Sequence, residues 1–204
     1  MAELGLRDLK KARTRRLIAD TAARLFAERG YERVTVSEIA RAAEVAEQTL
    51  YNYFPTKEQL VTDREEQIQQ RLGELIRTRP AGTTPAAAIR DFVLETVSAI
   101  RDTDPELARG TLGSLAAISP AVNRLVLELT DRQATALAAA ISETSPVAPE
   151  IARLQGVALA AVFRIVISEA GRRSQAGQTP AEIAEALRAE VDAVLTELDR
   201  WLTP

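Results

Sequence analysis

The 204-residue chain contains neither cysteine nor histidine. The lack of cysteine excludes disulfide bonds and thiolate nucleophiles, and the lack of both residues excludes a zinc site built on them. The missing histidine also removes the commonest general base near neutral pH. An enzyme would need carboxylate pairs or lysines, and the three lysines all lie in the N-terminal part, at positions 10, 11 and 57. We therefore expect no enzyme, no catalytic residue, no bound metal and no cofactor.

Aromatic residues are also scarce, with four Phe, three Tyr and one Trp, so the core must consist of Ala, Leu, Ile and Val. No segment alternates polar and apolar residues with a period of two, which argues against a sheet. Proline follows a Ser, Thr or Asp cap at four places, as it does at helix N-termini: Thr84-Pro85, Asp104-Pro105, Ser119-Pro120 and Thr179-Pro180. We predict an all-α fold of about nine helices, over residues 8–29, 36–43, 47–53, 57–79, 85–101, 105–117, 120–143, 149–174 and 180–202.

Long uninterrupted apolar runs are missing as well. No run approaches the roughly 18 residues that a membrane-spanning helix needs, and the N-terminus lacks the apolar segment of a signal peptide. We therefore expect a soluble, cytoplasmic protein without a membrane partner.

Charge is present but unevenly distributed. Residues 1–57 hold eleven Lys/Arg and eight Asp/Glu, whereas residues 58–204 hold fifteen and twenty-one, for a net charge of −3. The sharpest basic stretch lies between residues 7 and 16 and has only Asp8 opposing it: Arg7, Lys10, Lys11, Arg13, Arg15 and Arg16. A basic end on an acidic body is typical of a protein that turns one end toward DNA.

Residues 34–58 predict two very short helices joined by a tight turn. Isolated helices under about 12 residues are marginal in water, so a larger bundle must support them. Such a helix-turn-helix usually places its second helix in a DNA groove. We therefore predict double-stranded DNA as the partner. The predicted contacts combine a basic arm, two helix starts and the second helix: Arg7, Lys10, Lys11, Arg13, Thr35, Gln48, Thr49, Tyr51, Asn52, Tyr53 and Lys57.

Two other interpretations of these residues remain open. The arginines at positions 13, 15 and 16 can form a solvated helix face, and Tyr51 and Tyr53 can be packing residues. The whole chain can also be a helical interaction module whose head binds a protein partner. The complete order of these features within fifty residues favours DNA.

Residues 12–72 resemble the DNA-binding domain of the TetR (tetracycline-repressor) family of bacterial regulators. The resemblance is carried by residues 27–31 (AERGY), 35–36 (TV), 39–40 (IA), 43–45 (AEV) and above all 49–58 (TLYNYFPTKE). It implies an Ω-shaped all-helical homodimer that binds a pseudo-palindromic operator through its heads. It also implies a small-molecule effector in each larger domain and, since most members repress, a repressor.

Two positions depart from the family pattern. Glu44 occupies the tight turn, where the family often has glycine, and a left-handed residue with a side chain costs roughly 1 kcal/mol. Ala46 replaces the Ser or Thr that commonly caps the second helix, a loss of about 1 kcal/mol. Glu47 partly offsets this loss by complementing the helix dipole.

We divide the chain into a head of residues 1–56 and an effector-binding and dimerisation domain of residues 57–204. Inward candidates for an apolar or acyl-like effector are Phe92, Leu112, Leu115, Leu125, Leu129, Phe163, Arg164, Ile167 and Ser168. Arg164 and Ser168 lie four residues apart and can meet a ligand carboxylate or phosphate. The last two helices can pack within the chain or face a second subunit, in which case the interface comprises Leu154, Ala158, Ala161, Val162, Ile165, Leu187, Val191, Val194 and Leu198.

Overall fold

The computed structural model describes residues 5–203, apart from the side chains at positions 6 and 66; the first four residues of the predicted head lie outside this range. Within residues 5–203 the chain forms helices and no strand, which confirms the all-α fold. The helices are α1 (Leu6–Arg29), α2 (Val36–Ala42), α3 (Glu47–Tyr53), α4 (Gln59–Arg77), α5 (Pro85–Ser98), α6 (Pro105–Ala108), α7 (Leu112–Ala116), α8 (Pro120–Thr144), α9 (Pro149–Gln175) and α10 (Pro180–Leu202).

The helix predicted over residues 105–117 is instead two short helices, α6 and α7. Gly110 lies between them, where an added Cβ would collide with the carbonyl oxygen of Ala23 on α1. The helix is interrupted where Gly110 packs closely against α1. The local sequence pattern does not predict this contact. A short 3-10 helix also ends α5, at Ala99–Asp102.

The head consists of α1, α2 and α3 around one apolar cluster. Ile18, Phe26, Ile39, Leu50 and Phe54 are all 0–1% exposed in it. Leu17 is 50% exposed, and the next apolar residue of α1, Ile18, fills the core.

The apolar cluster of the head extends into α7 and the first half of α8. Leu112, Leu115 and Val122 are buried in it together with the head residues. The Ser119 hydroxyl donates a hydrogen bond to Glu32 Oε1, which ties the start of α8 to the turn after α1. The body therefore supports the head through α6, α7 and α8 as well as through the connecting helix α4.

A second apolar cluster forms the body from α5, α8, α9 and α10, together with the C-terminal half of α4. Its centre includes Leu72, Ile89, Leu137, Leu159 and Leu187, each fully buried. Helix α4 contributes to this cluster through Leu72 and Ile76, whereas Leu60 at its other end belongs to the head cluster. Helices α4 and α8 thus each contribute to both cores.

Helix α9 is long and apolar enough to cross a membrane by length and composition, with a mean hydropathy of 1.7 in its most apolar window. The described residues contain a further candidate only if the bent pair of Pro105–Ala116 and Pro120–Thr144 is counted as one span. The expectation concerned uninterrupted apolar runs, and Arg153 and Arg164 interrupt those of α9, which meets the criterion through its average hydropathy. Its inner face packs against α7, α8 and α10.

Candidate nucleic-acid interface

The first helix of the predicted pair, α2, begins with a complete capping box. Glu38 N–H donates to Thr35 Oγ1 at 3.2 Å, and Thr35 N–H donates to Glu38 Oε2 at 2.8 Å. These bonds satisfy two backbone donors that a helix start otherwise leaves free. They also lower the pKa of Glu38, chiefly through the backbone N–H of Thr35 and then through its hydroxyl. Ile39 and Ala40 are buried on the inner side of this seven-residue helix.

The turn into α3 has the two features expected from the sequence. Glu44 has φ +55°, the left-handed conformation that favours glycine, and it is the only non-glycine residue with positive φ among residues 5–203. Ala46 occupies the N-cap of α3 and supplies no side-chain hydrogen bond. Both predictions are confirmed, so α3 begins without the side-chain support that α2 has.

The outward side of α3 carries polar side chains. Gln48, Asn52 and Tyr51 are exposed, with 42% of Tyr51 accessible. Gln48 Nε2 lies 3.4 Å from Asn52 Oδ1, so the two amides stand side by side one turn apart. Gln and Asn can each form two hydrogen bonds with adenine in the major groove. Thr49 is half-buried, and Tyr53 is half-buried against the head cluster.

The predicted basic arm lies on the first turns of α1. Arg7, Lys10, Lys11 and Arg13 are all exposed, as a phosphate-contacting surface requires. Thr35 is exposed too, but its hydroxyl already bonds to Glu38 in the capping box. The DNA contacts of these residues remain predictions.

Lys57 is held inside the head. Its ammonium donates to the Tyr31 carbonyl oxygen at 2.6 Å and lies 4.3 Å from the centre of the Tyr31 ring. Burial lowers the pKa of Lys57, while Glu32 and Glu58 oppose that shift. Burial also raises the pKa of the Tyr31 hydroxyl, with a further contribution from Glu58. Lys57 thus joins the start of α4 to the end of α1, and a phosphate contact would compete with these bonds.

Arg15 is the residue that sequence reasoning underestimated. Its guanidinium forms an ion pair with Asp63 on α4 and donates to the Tyr53 carbonyl oxygen at 3.0 Å. The sequence interpretation of Arg15 as part of a solvated face does not fit these contacts. Asp63 is 48 residues away, so no local sequence spacing predicts the pair.

The predicted effector residues do not meet in one place. Leu112, Leu115 and Leu129 belong to the head cluster and Ile167 packs against it, whereas Phe92 and Phe163 belong to the body cluster. Leu125 is half-buried on α8. Arg164 and Ser168 were expected to face inward and are exposed instead, because the other side of α9 packs into the protein. That part of the prediction is wrong.

The predicted dimer residues divide into two groups. Val162, Leu187 and Val191 are at most 1% exposed within a single chain, so they are core residues and cannot contact a partner. Leu154 and Ile165 are exposed on α9, while the other four are half-buried: Ala158, Ala161, Val194 and Leu198. Ile151, Val157 and Trp201, which we did not include, are 46%, 57% and 54% exposed.

Open grooves among the described residues include one between α4 and α8 and one beside α10. One of about 350 Å³ lies between α4 and α8 and is lined by Gln69, Gln70, Gly73, Arg77, Leu129, Arg132 and Ala136. The other, of about 510 Å³, lies where α5 ends beside α10 and is lined by Glu95, Ser98, Ala99, Arg101, Asp102 and Arg188. Only Leu129 of the predicted effector residues lines either groove.

A capped short helix, a tight turn and a second helix with exposed amides define a helix-turn-helix DNA-binding protein. The model of the bacterial regulatory proteins of the TetR family matches residues 18–63, which span this unit. This match identifies residues 18–63 as a DNA-binding domain of the kind found in the TetR family of transcriptional regulators.

Similarity to known proteins extends beyond residues 18–63. The HTH-type transcriptional regulator TcmR of Streptomyces glaucescens is 29% identical over 164 residues, which cover 78% of this chain and 68% of TcmR. Other curated relatives are matched over less than half of their own length.

Among solved structures, FadR of Bacillus subtilis in complex with stearoyl-CoA has a TM-score of 0.55 at 22% identity, covering 90% of this chain and 97% of FadR. NalD, the secondary repressor of the MexAB-OprM multidrug efflux pump in Pseudomonas aeruginosa, also has a TM-score of 0.55, at 20% identity, covering 88% of this chain and 96% of NalD. At these identities the two structures support the fold.

Proposed function

We propose that the protein is a ligand-responsive repressor that binds a pseudo-palindromic operator as a homodimer. The observation that carries the proposal is the exposed pair of amides, Gln48 and Asn52, on a recognition helix beside the basic first turns of α1. Base-reading amides next to phosphate-binding cations are what a sequence-specific DNA contact requires. The role is regulatory, without catalysis, and DNA binding places the protein in the cytoplasm.

DNA binding is tested by gel shift on genomic fragments that the wild-type protein selects. We expect a complex that weakens as salt rises, because phosphate contacts release counterions. Gln48→Ala should cost about 1–3 kcal/mol of binding to the selected fragment and relax the preference for it. A head that bound a protein partner instead would give no salt-sensitive DNA complex.

We infer that the second subunit packs on the exposed side of α9. Ile151, Leu154, Ala158, Ala161 and Ile165 recur there at steps of three and four residues. Apolar residues in such a row form one contiguous face, and exposed apolar patches commonly mark interfaces. Val194, Leu198 and Trp201 would extend it on α10. Leu154→Glu should convert a dimer into a monomer in light-scattering measurements, whereas Leu127→Glu, on the exposed side of α8, should not.

We propose the groove between α4 and α8 as the effector site. Leu129 and Ala136 offer an apolar wall there, and Arg132 is exposed at its edge, which suits an acyl chain with an anionic end. FadR, which shares the fold, was solved with stearoyl-CoA. Ligand seated against α4 would change the distance between the two heads, and ligand and operator would weaken each other reciprocally.

The effector proposal is tested by thermal-shift screening of acyl-CoAs, fatty acids and cationic drugs. We expect an acyl compound to raise the melting temperature of the wild type and to release the selected DNA. Arg132→Gln should reduce this shift, whereas Arg124→Gln, on an exposed part of α8 outside the groove, should preserve it. Stabilisation by cationic drugs alone would contradict an anionic effector.

A further inference from the structure

Arg15 connects three helices at the end of the recognition helix. Its Nε donates to Asp63 Oδ2 at 2.9 Å and its Nη2 to Asp63 Oδ1, so the pair is bidentate between α1 and α4. Its Nη1 donates to the carbonyl oxygen of Tyr53, the last residue of α3, at 3.0 Å. The guanidinium carbon also lies 4.6 Å from the centre of the Phe54 ring.

These contacts restrain the C-terminal end of α3, next to the buried Leu50 and Phe54. Leu50 is the single fully buried residue of the seven in this helix, and Ala46 gives its N-terminus no side-chain cap. The last carbonyl groups of a helix have no partner within it, and a cation there also complements the helix dipole. Arg15 provides both a hydrogen-bond donor to a terminal carbonyl group and a positive charge at the end of α3. Asp63 fixes the direction of its guanidinium.

The pair is more protected than the neighbouring charges of α1. The Asp63 side chain is 18% exposed and that of Arg15 is 37% exposed. Arg16 and Asp20, one residue further along α1, form a looser pair at 3.6 Å with side chains 83% and 49% exposed. Bidentate pairs specify geometry, whereas exposed single contacts contribute little.

We propose that Arg15 and Asp63 are positioning residues for DNA recognition: they hold the C-terminal end of α3 against α4 and do not bind phosphate. The proposal rests on the proposed DNA binding of the head. Since α4 also enters the body core through Leu72 and Ile76, the pair is a side-chain link through which a shift of α4 reaches the recognition helix.

Asp63→Asn distinguishes a positioning role of Asp63 from an effect of its charge on DNA. The two explanations predict changes of opposite sign in the affinity for the selected fragment. Removal of a carboxylate near DNA strengthens binding if charge alone matters. Loss of positioning instead weakens binding to the selected fragment, by about tenfold for residues that share one hydrogen-bond network. Binding of the full-length protein to a random fragment should stay the same or rise slightly.

Arg15→Gln gives a second, independent readout. We expect weaker binding to the selected fragment with an unchanged slope of log K against log salt, because no phosphate contact is lost. A phosphate contact would lower that slope by about 0.9. The double variant should bind about as well as Arg15→Gln alone, since both changes break one link.

Controls separate this proposal from a failure of folding and from a failure of the function itself. Arg16→Gln and Asp20→Asn alter the exposed pair and should leave the preference for the selected fragment intact. Circular dichroism and thermal unfolding verify that the near-isosteric Asp63→Asn variant is folded. Selection of no fragment by the wild type would refute the DNA-binding function, whereas selection with equal or tighter binding by Asp63→Asn would overturn the positioning role alone.

Discussion

The two seven-residue helices of the head, α2 and α3, have equal length but different support. Helix α2 begins with a complete capping box and buries two residues, whereas α3 follows a left-handed Glu44, lacks a side-chain cap and buries only Leu50. The helix expected to read DNA is thus the one with the fewer local contacts. Its orientation depends on tertiary contacts, which leaves its outward side chains free for bases.

Removal of the one buried contact of α3 should have the largest effect. Leu50 is 0% exposed, so Leu50→Ala leaves a cavity and should lower the free energy of unfolding by about 2–5 kcal/mol. Urea unfolding measures this loss. The control is Leu17→Ala in the same head, where 50% exposure predicts a much smaller change. Equal losses for the two variants would contradict the burial argument.

Removal of the side-chain cap of α2 should leave that helix, like α3, without a hydrogen bond to its N-cap side chain. Thr35→Ala should cost about 1 kcal/mol at neutral pH. The folded-state pKa of Glu38 is lowered, so its contribution is present above the ordinary value of about 4.3 and is lost as pH falls through the lowered pKa. Only the bond from the Thr35 hydroxyl to the Glu38 carboxylate is both lost in the variant and dependent on pH, so unfolding at several pH values should show the difference in stability narrowing in acid without vanishing.

The matched control for that variant is Thr179→Ala, which removes the same kind of capping box from α10. It should cost similar stability and leave DNA binding unchanged, because α10 lies in the body. A loss of DNA affinity equal to that of Thr35→Ala would show that the effect is global destabilisation.

Addition of a cap to α3 should make it resemble α2. Ala46→Ser supplies a hydroxyl that can accept from the third helical N–H and should raise stability by up to about 1 kcal/mol. Thermal unfolding measures the gain. Ala148→Ser, at the equally uncapped start of α9, should give a comparable gain. A loss at position 46 alone would mean that the turn leaves no room for the hydroxyl.

Relief of the turn strain should have the smallest effect. Glu44→Gly removes the cost of a left-handed residue with a side chain but adds chain entropy to the unfolded state, for a net gain of about 0.5–1 kcal/mol. Glu44→Ala removes the same charge and keeps the Cβ, so it should bring no gain in urea unfolding. An equal gain from both variants would assign the effect to charge.

The sequence predicted the parts of the fold that local signals determine. The α3 bounds, the left-handed Glu44 and the missing cap at Ala46 follow from residues within one turn of each other. The start of α4 was less accurate: we predicted it at residue 57, and the helix begins at Gln59. The break at Gly110 depends on α1, which lies far away in the chain.

Side-chain roles that depend on which face is inward were harder to predict. Arg164 shares α9 with buried residues, and only the packing of α7, α8 and α10 decides that it faces outward. The spacing of Leu187 and Val191 fits a dimer interface as well as it fits a core. Packing within the chain buries both residues, so they belong to the core. The link from Arg15 to Asp63 spans 48 residues and has no local signature.

The central claim is that α3, held by the head, reads DNA as one of two symmetric copies. Hydroxyl-radical footprinting of the full-length protein on a selected genomic fragment tests it most directly. We expect two protected half-sites on one face of the duplex, with centres about 34–36 Å apart or a multiple of that distance. A purified protein that prefers no fragment at low ionic strength, or that protects one isolated half-site, would contradict it.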